Sequence, residues 1–238
     1  MLLLKSIIFL ALCLPSQVLA LPNLVKWADE DQPTWHAEFT LGPFDPKPAT
    51  YEQVLSYAKQ YYNQIKSDPK AMPENSLKKH GPLLVAALYI PGSTAANHKV
   101  YASTVPRGTR KTYMKDHRQE ATAWYIQTKN LKSTNKDDVN IPFHAEDAAY
   151  FNFETLVPDS KRTRYPSGSI LAVWGRFDGQ ADAGKEQLPC GAYPKRDPSC
   201  ATVAHNIGVA TGKGAAKRAS VFNDEVARIV EGLESLSV

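Results

Sequence analysis

Apolar positions along the chain fall into patterns of different period. From Tyr51 to Ile65 they recur at helical spacing (Tyr51, Val54, Leu55, Ala58, Tyr61, Tyr62, Ile65), and Thr50 with Gln53 supplies a capping box, so the spacing predicts a helix over 50–66. Leu83–Ile90 is an unbroken apolar run closed by Pro91-Gly92, and Lys99–Val105 follows after a polar turn; the two predict a hairpin. Ser169–Phe177 reads as a third strand, ending at Asp178-Gly179. One helix opens at His144, between the hairpin and this strand. Another opens near Cys200, with Asp197 as N-cap, Pro198 at the first helical position, an apolar stripe of Val203, Ala204 and Ile207, and Gly208 as its stop. A last helix is predicted over about 221–236 from Phe222, Val226, Ile229, Val230, Leu233 and Leu236.

The segments between these patterns are more polar. Residues 21–48 carry Pro22, Pro33, Pro43, Pro46 and Pro48 with no sustained period, which predicts an extended lead on the surface or at a sheet edge. Residues 106–118 are basic (Arg107, Arg110, Lys111, Lys115, Arg118) and contain Gly and Thr, so an exposed loop is expected; 119–128 fit helix or strand equally. Helix, hairpin, helix, strand, helix and final helix, with no internal repeat, predict an α/β fold, a three-layer α/β/α sandwich around a small mixed sheet.

The first twenty residues stand apart. Lys5 precedes the apolar run Ile7–Leu14, Pro15-Ser16 breaks it, and Val18-Leu19-Ala20 supplies small residues for cleavage, the layout of a secretory signal peptide. The run is short beside the roughly 20 apolar residues of a membrane span. The expected organisation is a signal peptide at 1–20, a proline-rich lead at 21–48 and one domain at 49–238, secreted and extracellular, with no membrane attachment once the signal is removed. Its removal takes one base, Lys5, from a formal net charge of +4, so the charge alone does not argue for a polyanionic partner. At 43% apolar residues the chain is too hydrophobic to be disordered, and three cysteines among 238 residues are too few for a disulfide-stapled miniprotein. Loss of Cys13 with the signal leaves Cys190 and Cys200.

Two short segments combine chemistry-bearing residues: Phe143-His144-Ala145-Glu146-Asp147 where one helix opens, and Pro189-Cys190-Gly191 with Pro198-Ser199-Cys200 before and into the next. His144 and Glu146 stand about 200° apart around a helix, yet in its first turn both can converge on an ion lying just off the helix end. A helix N-terminus also favours Cys200 as thiolate. Two thiolates and one imidazole leave a fourth tetrahedral position open, the arrangement of a catalytic zinc.

These segments resemble the signature of the zinc-dependent cytidine-deaminase-like superfamily, in which a His-x-Glu motif and a later Pro-Cys … Cys motif each open a helix. Element order is similar over roughly residues 50–238; residue identity is confined to the two motifs. The resemblance implies a cytidine-deaminase-like fold with Zn2+ held by His144, Cys190 and Cys200. It implies Glu146 as the proton shuttle and hydrolytic deamination of a nucleobase, free, in a nucleoside or in nucleic acid, as the reaction. Nine residues separate the cysteines where two are commonest in the family, a longer form that resembles toxin-like members and carries the expectation of a toxin or effector. In an exported chain the same pair is equally readable as a Cys190–Cys200 disulfide in a non-catalytic protein of this fold that acts by binding a partner. A secreted hydrolase of another kind would need a nucleophile motif, and none is recognisable.

The intervening segment, Gly191 to Ser199, is expected as a loop at the mouth of the site, where Tyr193 could stack on a base and Lys195 or Arg196 could meet a phosphate. Other motifs carry plainer readings. Trp35-His36-Ala37-Glu38 repeats the tripeptide with no helix after it, Thr211-Gly212-Lys213-Gly214 lacks the rest of a phosphate loop, and His205 belongs to a polar helix face. Tyr51, Tyr57, Tyr61 and Tyr62 are read as helix packing before base stacking. Lys213, Lys217 and Arg218, like the basic 107–118 segment, are read as solvated charge before phosphate contacts.

Overall fold

The computed structural model describes residues 25–27, 34–41, 48–67, 83–92, 97–133, 143–177, 183–190 and 196–212. The signal segment, the final predicted helix, Lys213, Lys217 and Arg218 lie outside these residues. Helix α1 (Tyr51–Ser67) begins as expected: the Gln53 amide N–H donates to Thr50 Oγ1 at 3.3 Å and the Thr50 N–H to Gln53 Oε1 at 2.8 Å. Tyr51, Tyr61 and Tyr62 are buried, so these rings pack the core and offer no stacking surface.

A seven-stranded sheet runs in the order β1 (Val25–Trp27), β2 (Thr34–Thr40), β4 (Lys99–Thr104), β3 (Leu83–Ile90), β6 (Ile170–Arg176), β7 (Lys185–Gln187), with β9 (Ala210–Thr211) parallel to β6 and every other pairing antiparallel. The unbroken apolar run of β3 reflects its central position. Leu84, Ala86, Leu88 and Ile90 enter the core on one face, and Leu83, Val85, Ala87 and Tyr89 the core on the other. Helix α1 covers the second face. The first is covered by α2 (Gly108–Asp116), α3 (Thr122–Thr128), α4 (Ala145–Leu156) and α5 (Cys200–Ile207). The architecture is mixed α/β in three layers.

The proline-rich lead contributes more than an edge. β1 is the edge strand, but β2 lies between it and β4, and Trp35 and Ala37 join the α1-side core. The second tripeptide, His36-Ala37-Glu38, is therefore strand, as its lack of a following helix predicted.

Two expectations are corrected. Residues 106–118 are not an exposed loop: Gly108–Asp116 is helix, with Arg110 and Met114, one helical turn apart, turned into the core. The buried side of this helix is half cationic, which is why it reads as polar. Arg110 donates to the Asn152 side-chain carbonyl and lies over the Tyr113 and Phe151 rings, and Arg118 donates to the Thr128 carbonyl, so these cations are structural. The N-cap of α5 is Ser199, not Asp197, and Pro198 precedes the helix; the Ser199 hydroxyl accepts the Thr202 N–H at 3.2 Å. Asp197 is instead drawn into a two-stranded pairing, β5 (Lys132–Ser133) with β8 (Arg196–Asp197). Gly208 ends α5 in the left-handed conformation (φ 82°) that its missing side chain permits. His205 is exposed on the polar side of α5.

Candidate metal centre

The geometry of the candidate ligands starts from two helix N-termini brought side by side. His144 is the N-cap of α4, in extended backbone (φ −105°, ψ 175°), and Phe143 before it packs on Trp124 with ring centres 5.5 Å apart. The His144 main-chain N–H donates to Asp147 Oδ2 at 2.7 Å, so the third helical residue ties down the cap. On α5, Cys200 is the first helical residue. Its N–H donates to Cys190 Sγ at 3.1 Å, and the next N–H, of Ala201, donates to the Cys190 carbonyl at 3.0 Å. Cys190, ten positions earlier in the chain, is thereby fastened to the open end of the helix that carries Cys200.

This brings the three predicted ligands together. His144 Nδ1 is 3.1 Å from Cys200 Sγ, and one ligand atom from each of His144, Cys190 and Cys200 lies within 4.8 Å of the others. Among the described residues this is the one group of His, Cys, Asp and Glu close enough to hold a metal ion. Neither cysteine is in a disulfide, so the disulfide reading of the pair is not the arrangement seen. Cys200 is buried, whereas His144 and Cys190 are half-buried.

Electrostatics set the protonation states. The hydrogen bond from Cys200 is the largest influence on the Cys190 thiol; with the help of His144 and the Cys200 amide, and against the effect of burial, it brings the thiol down to about 4. These contacts favour the ionised form of Cys190. Glu146 is buried, and loss of water pushes its carboxyl above the usual range; His144 and its own backbone N–H pull it down, and Asp147 and Cys190 push it up. Those influences place Glu146 within electrostatic reach of two of the three ligands, and its carboxyl is disposed to keep a proton.

The donor set fits a zinc ion. One imidazole nitrogen and two sulfurs, both sulfurs in hydrogen-bonding contact with their neighbours, are the borderline-soft ligands that Zn2+ takes. The 3.1 Å N···S separation is near the roughly 3.5 Å edge of a tetrahedron built on Zn–N and Zn–S bonds.

Of the remaining predicted residues, Tyr193 and Lys195 lie outside the described residues. Arg196 is described by its backbone alone, in β8. The segment Gly191 to Ser199 is therefore not loop throughout, since its end pairs with Lys132 and Ser133. A separate cleft of about 330 Å³, lined by Arg164, Ser167, Ser169 and Gly208, sits at the opposite end of α5 from Cys200.

Two residues of the site were missed in the sequence. Asp147 is buried and bonds both the His144 N–H and the Trp124 indole N–H. An acid three residues after a helix cap is a readable capping signal, hidden here because the cap is a histidine. Trp124 belongs to the segment whose secondary structure the pattern left open. In comparisons with known proteins, no family model, no curated protein and no solved structure matches this chain.

Proposed function

We propose that this protein is an exported zinc-dependent hydrolase that deaminates a nucleobase, free or within a nucleoside or nucleic acid, and that it acts as a toxin or effector. The observation that carries the reading is the convergence of His144, Cys190 and Cys200, with Glu146 beside them, at two helix N-termini built from the two motifs that resemble the cytidine-deaminase-like superfamily. The three-layer α/β architecture supports the same reading.

His144 through Nδ1 and the two cysteine sulfurs would hold the ion, and Zn2+ bound there supplies a Lewis acid that makes water acidic enough to attack near neutral pH. Glu146 accepts the proton of the attacking water on its carboxylate. It delivers that proton to the ring nitrogen, then takes the proton of the hydroxyl newly added to the ring carbon and passes it to the departing amine. Burial that holds the carboxyl above its usual range suits it to carry a proton between the water and the base. The C–O bond to the ring carbon forms, the C–N bond breaks, and ammonia leaves.

The test is ammonia release from a panel of cytosine- and adenine-containing bases, nucleosides, nucleotides and single strands, using the full chain with and without zinc. Zinc-dependent release from one class supports the reading. No release from any of them, with zinc bound, contradicts it.

Among the described residues no helix is long and apolar enough to cross a membrane.

A further inference from the structure

The seven-residue helix α3 has no side-chain cap of its own. It is held by two acids of α4 that stand seven positions apart, both buried. Glu154 accepts the N–H groups of Ala123 and Trp124 at 2.7 and 2.9 Å, and Asp147 accepts the Trp124 indole N–H at 2.8 Å. Neither acid is required by the chemistry proposed above. The two do different things, because Asp147 spends its second oxygen on the His144 main chain, whereas Glu154 spends its other bond on the Tyr165 hydroxyl, away from the ligands.

The same short segment also reaches the second ligand helix. Gln127 accepts a bond from Asn206 of α5 at 2.8 Å, and β5, four residues beyond α3, pairs with β8 immediately before Ser199 and Cys200. Residues 122–133 therefore brace both halves of the ligand set, and Trp124 is the point where the brace meets the histidine.

We infer that Asp147 and Trp124 are a positioning pair for the metal: the carboxylate fixes the main chain of His144, and the indole N–H fixes the carboxylate, so that the imidazole is presented to the two sulfurs before any ion arrives. This deepens the zinc reading and rests on it. The physical basis is that a ligand fixed in advance loses little freedom on binding, and groups behind a metal ligand typically account for about ten- to hundredfold in affinity.

The experiment titrates Co2+, as a spectroscopic stand-in for Zn2+, into the reduced, metal-free full chain, and reads both the affinity and the absorption bands of the cobalt–thiolate centre. Trp124→Phe keeps the ring between Phe143 and Phe151 but removes the indole N–H; it should weaken Co2+ about tenfold and alter the ligand-field bands at saturation. Asp147→Asn, which retains only one acceptor, should do the same. Glu154→Gln loosens the same helix at its other contact, and should lower the melting temperature while leaving affinity and bands unchanged. Unchanged affinity and bands in Trp124→Phe overturn the positioning role while the metal reading stands. Equal weakening in Glu154→Gln also overturns it, because the effect would then be general loosening. A wild-type chain that gives no cobalt–thiolate bands overturns the metal reading, and the pair's role with it.

Discussion

Glu154→Gln gives a sharp test of how the ligand-bearing layer is held. The carboxyl is buried and receives three donors: the Ala123 N–H on one oxygen, and the Trp124 N–H and Tyr165 hydroxyl on the other, at 2.7, 2.9 and 2.8 Å. Protonation does not break this set, because the acid proton can go to the Tyr165 oxygen while the tyrosine hydroxyl turns to the Tyr150 carbonyl, 3.4 Å away. Glutamine cannot match it. In either amide orientation its NH2 faces one of the two backbone N–H groups, leaving a buried donor without an acceptor, which costs about 1–3 kcal/mol. Taking about 2 kcal/mol, and roughly 2–4 °C per kcal/mol for a chain of this size, the melting temperature should fall by roughly 4–8 °C. The pH dependence has a defined sign. Burial pushes the Glu154 carboxyl above its ordinary 4.5, against the pull of its hydrogen bonds and of Arg162. The folded wild type thus holds the proton more tightly than the unfolded chain does. Its stability is fully present below 4.5 and is lost as pH rises through the folded value, a loss the glutamine variant lacks. Thermal unfolding followed by circular dichroism should show the largest gap between the two proteins near pH 4.5 and a smaller one at pH 7–8. A variant melting within about 1 °C of wild type at both pH values, or a gap that widens with pH, would refute the reasoning.

Three further outcomes are expected. Glu146→Gln keeps the side chain's size, so zinc content should persist while deamination falls at least about 100-fold, or about 2.7 kcal/mol in barrier; unchanged turnover would remove Glu146 from the chemistry. Chelation should destabilise the wild type by about 2.7 kcal/mol relative to protein at free zinc 100-fold above its Kd, and should leave Cys200→Ser unmoved, as read by melting with and without chelator. Gly175→Ala should lower the urea midpoint by the equivalent of about 2 kcal/mol or more: at φ 156° a Cβ would come 2.2 Å from the Leu83 carbonyl oxygen and 2.8 Å from the Leu84 Cα, so the β3–β6 pairing must shift, and a wild-type midpoint would contradict that geometry.

Much of the framework was legible because each element carries its own signal. Thr50 and Gln53 mark the start of α1, the all-apolar β3 marks a strand covered on both faces, and His144 and Cys200 each stand where a helix opens. What escaped depends on long-range partners. Arg110 reads as a surface cation until Asn152, 42 positions away, is beside it, which is why α2 was expected as a loop. The N-cap of α5 was placed two residues early because the pairing of Asp197 with Lys132 leaves no trace in local sequence. Five prolines masked the propensity of 34–40 to enter the sheet, and only the pairing with β4 explains it. At the site, the convergence of His144, Cys190 and Cys200 was readable from residue type and spacing. The support was not: the bonds from His144 and Trp124 to Asp147 join positions 3 and 23 apart, and the latter carries no periodic signature.

The central claim is that Cys190 and Cys200 are metal ligands rather than partners in a disulfide. Its most direct test is a paired determination on protein purified without reductant: zinc by elemental analysis, and thiols counted after denaturation with chelator. One zinc and two thiols per chain is the predicted result, whereas no zinc and no thiols would contradict it.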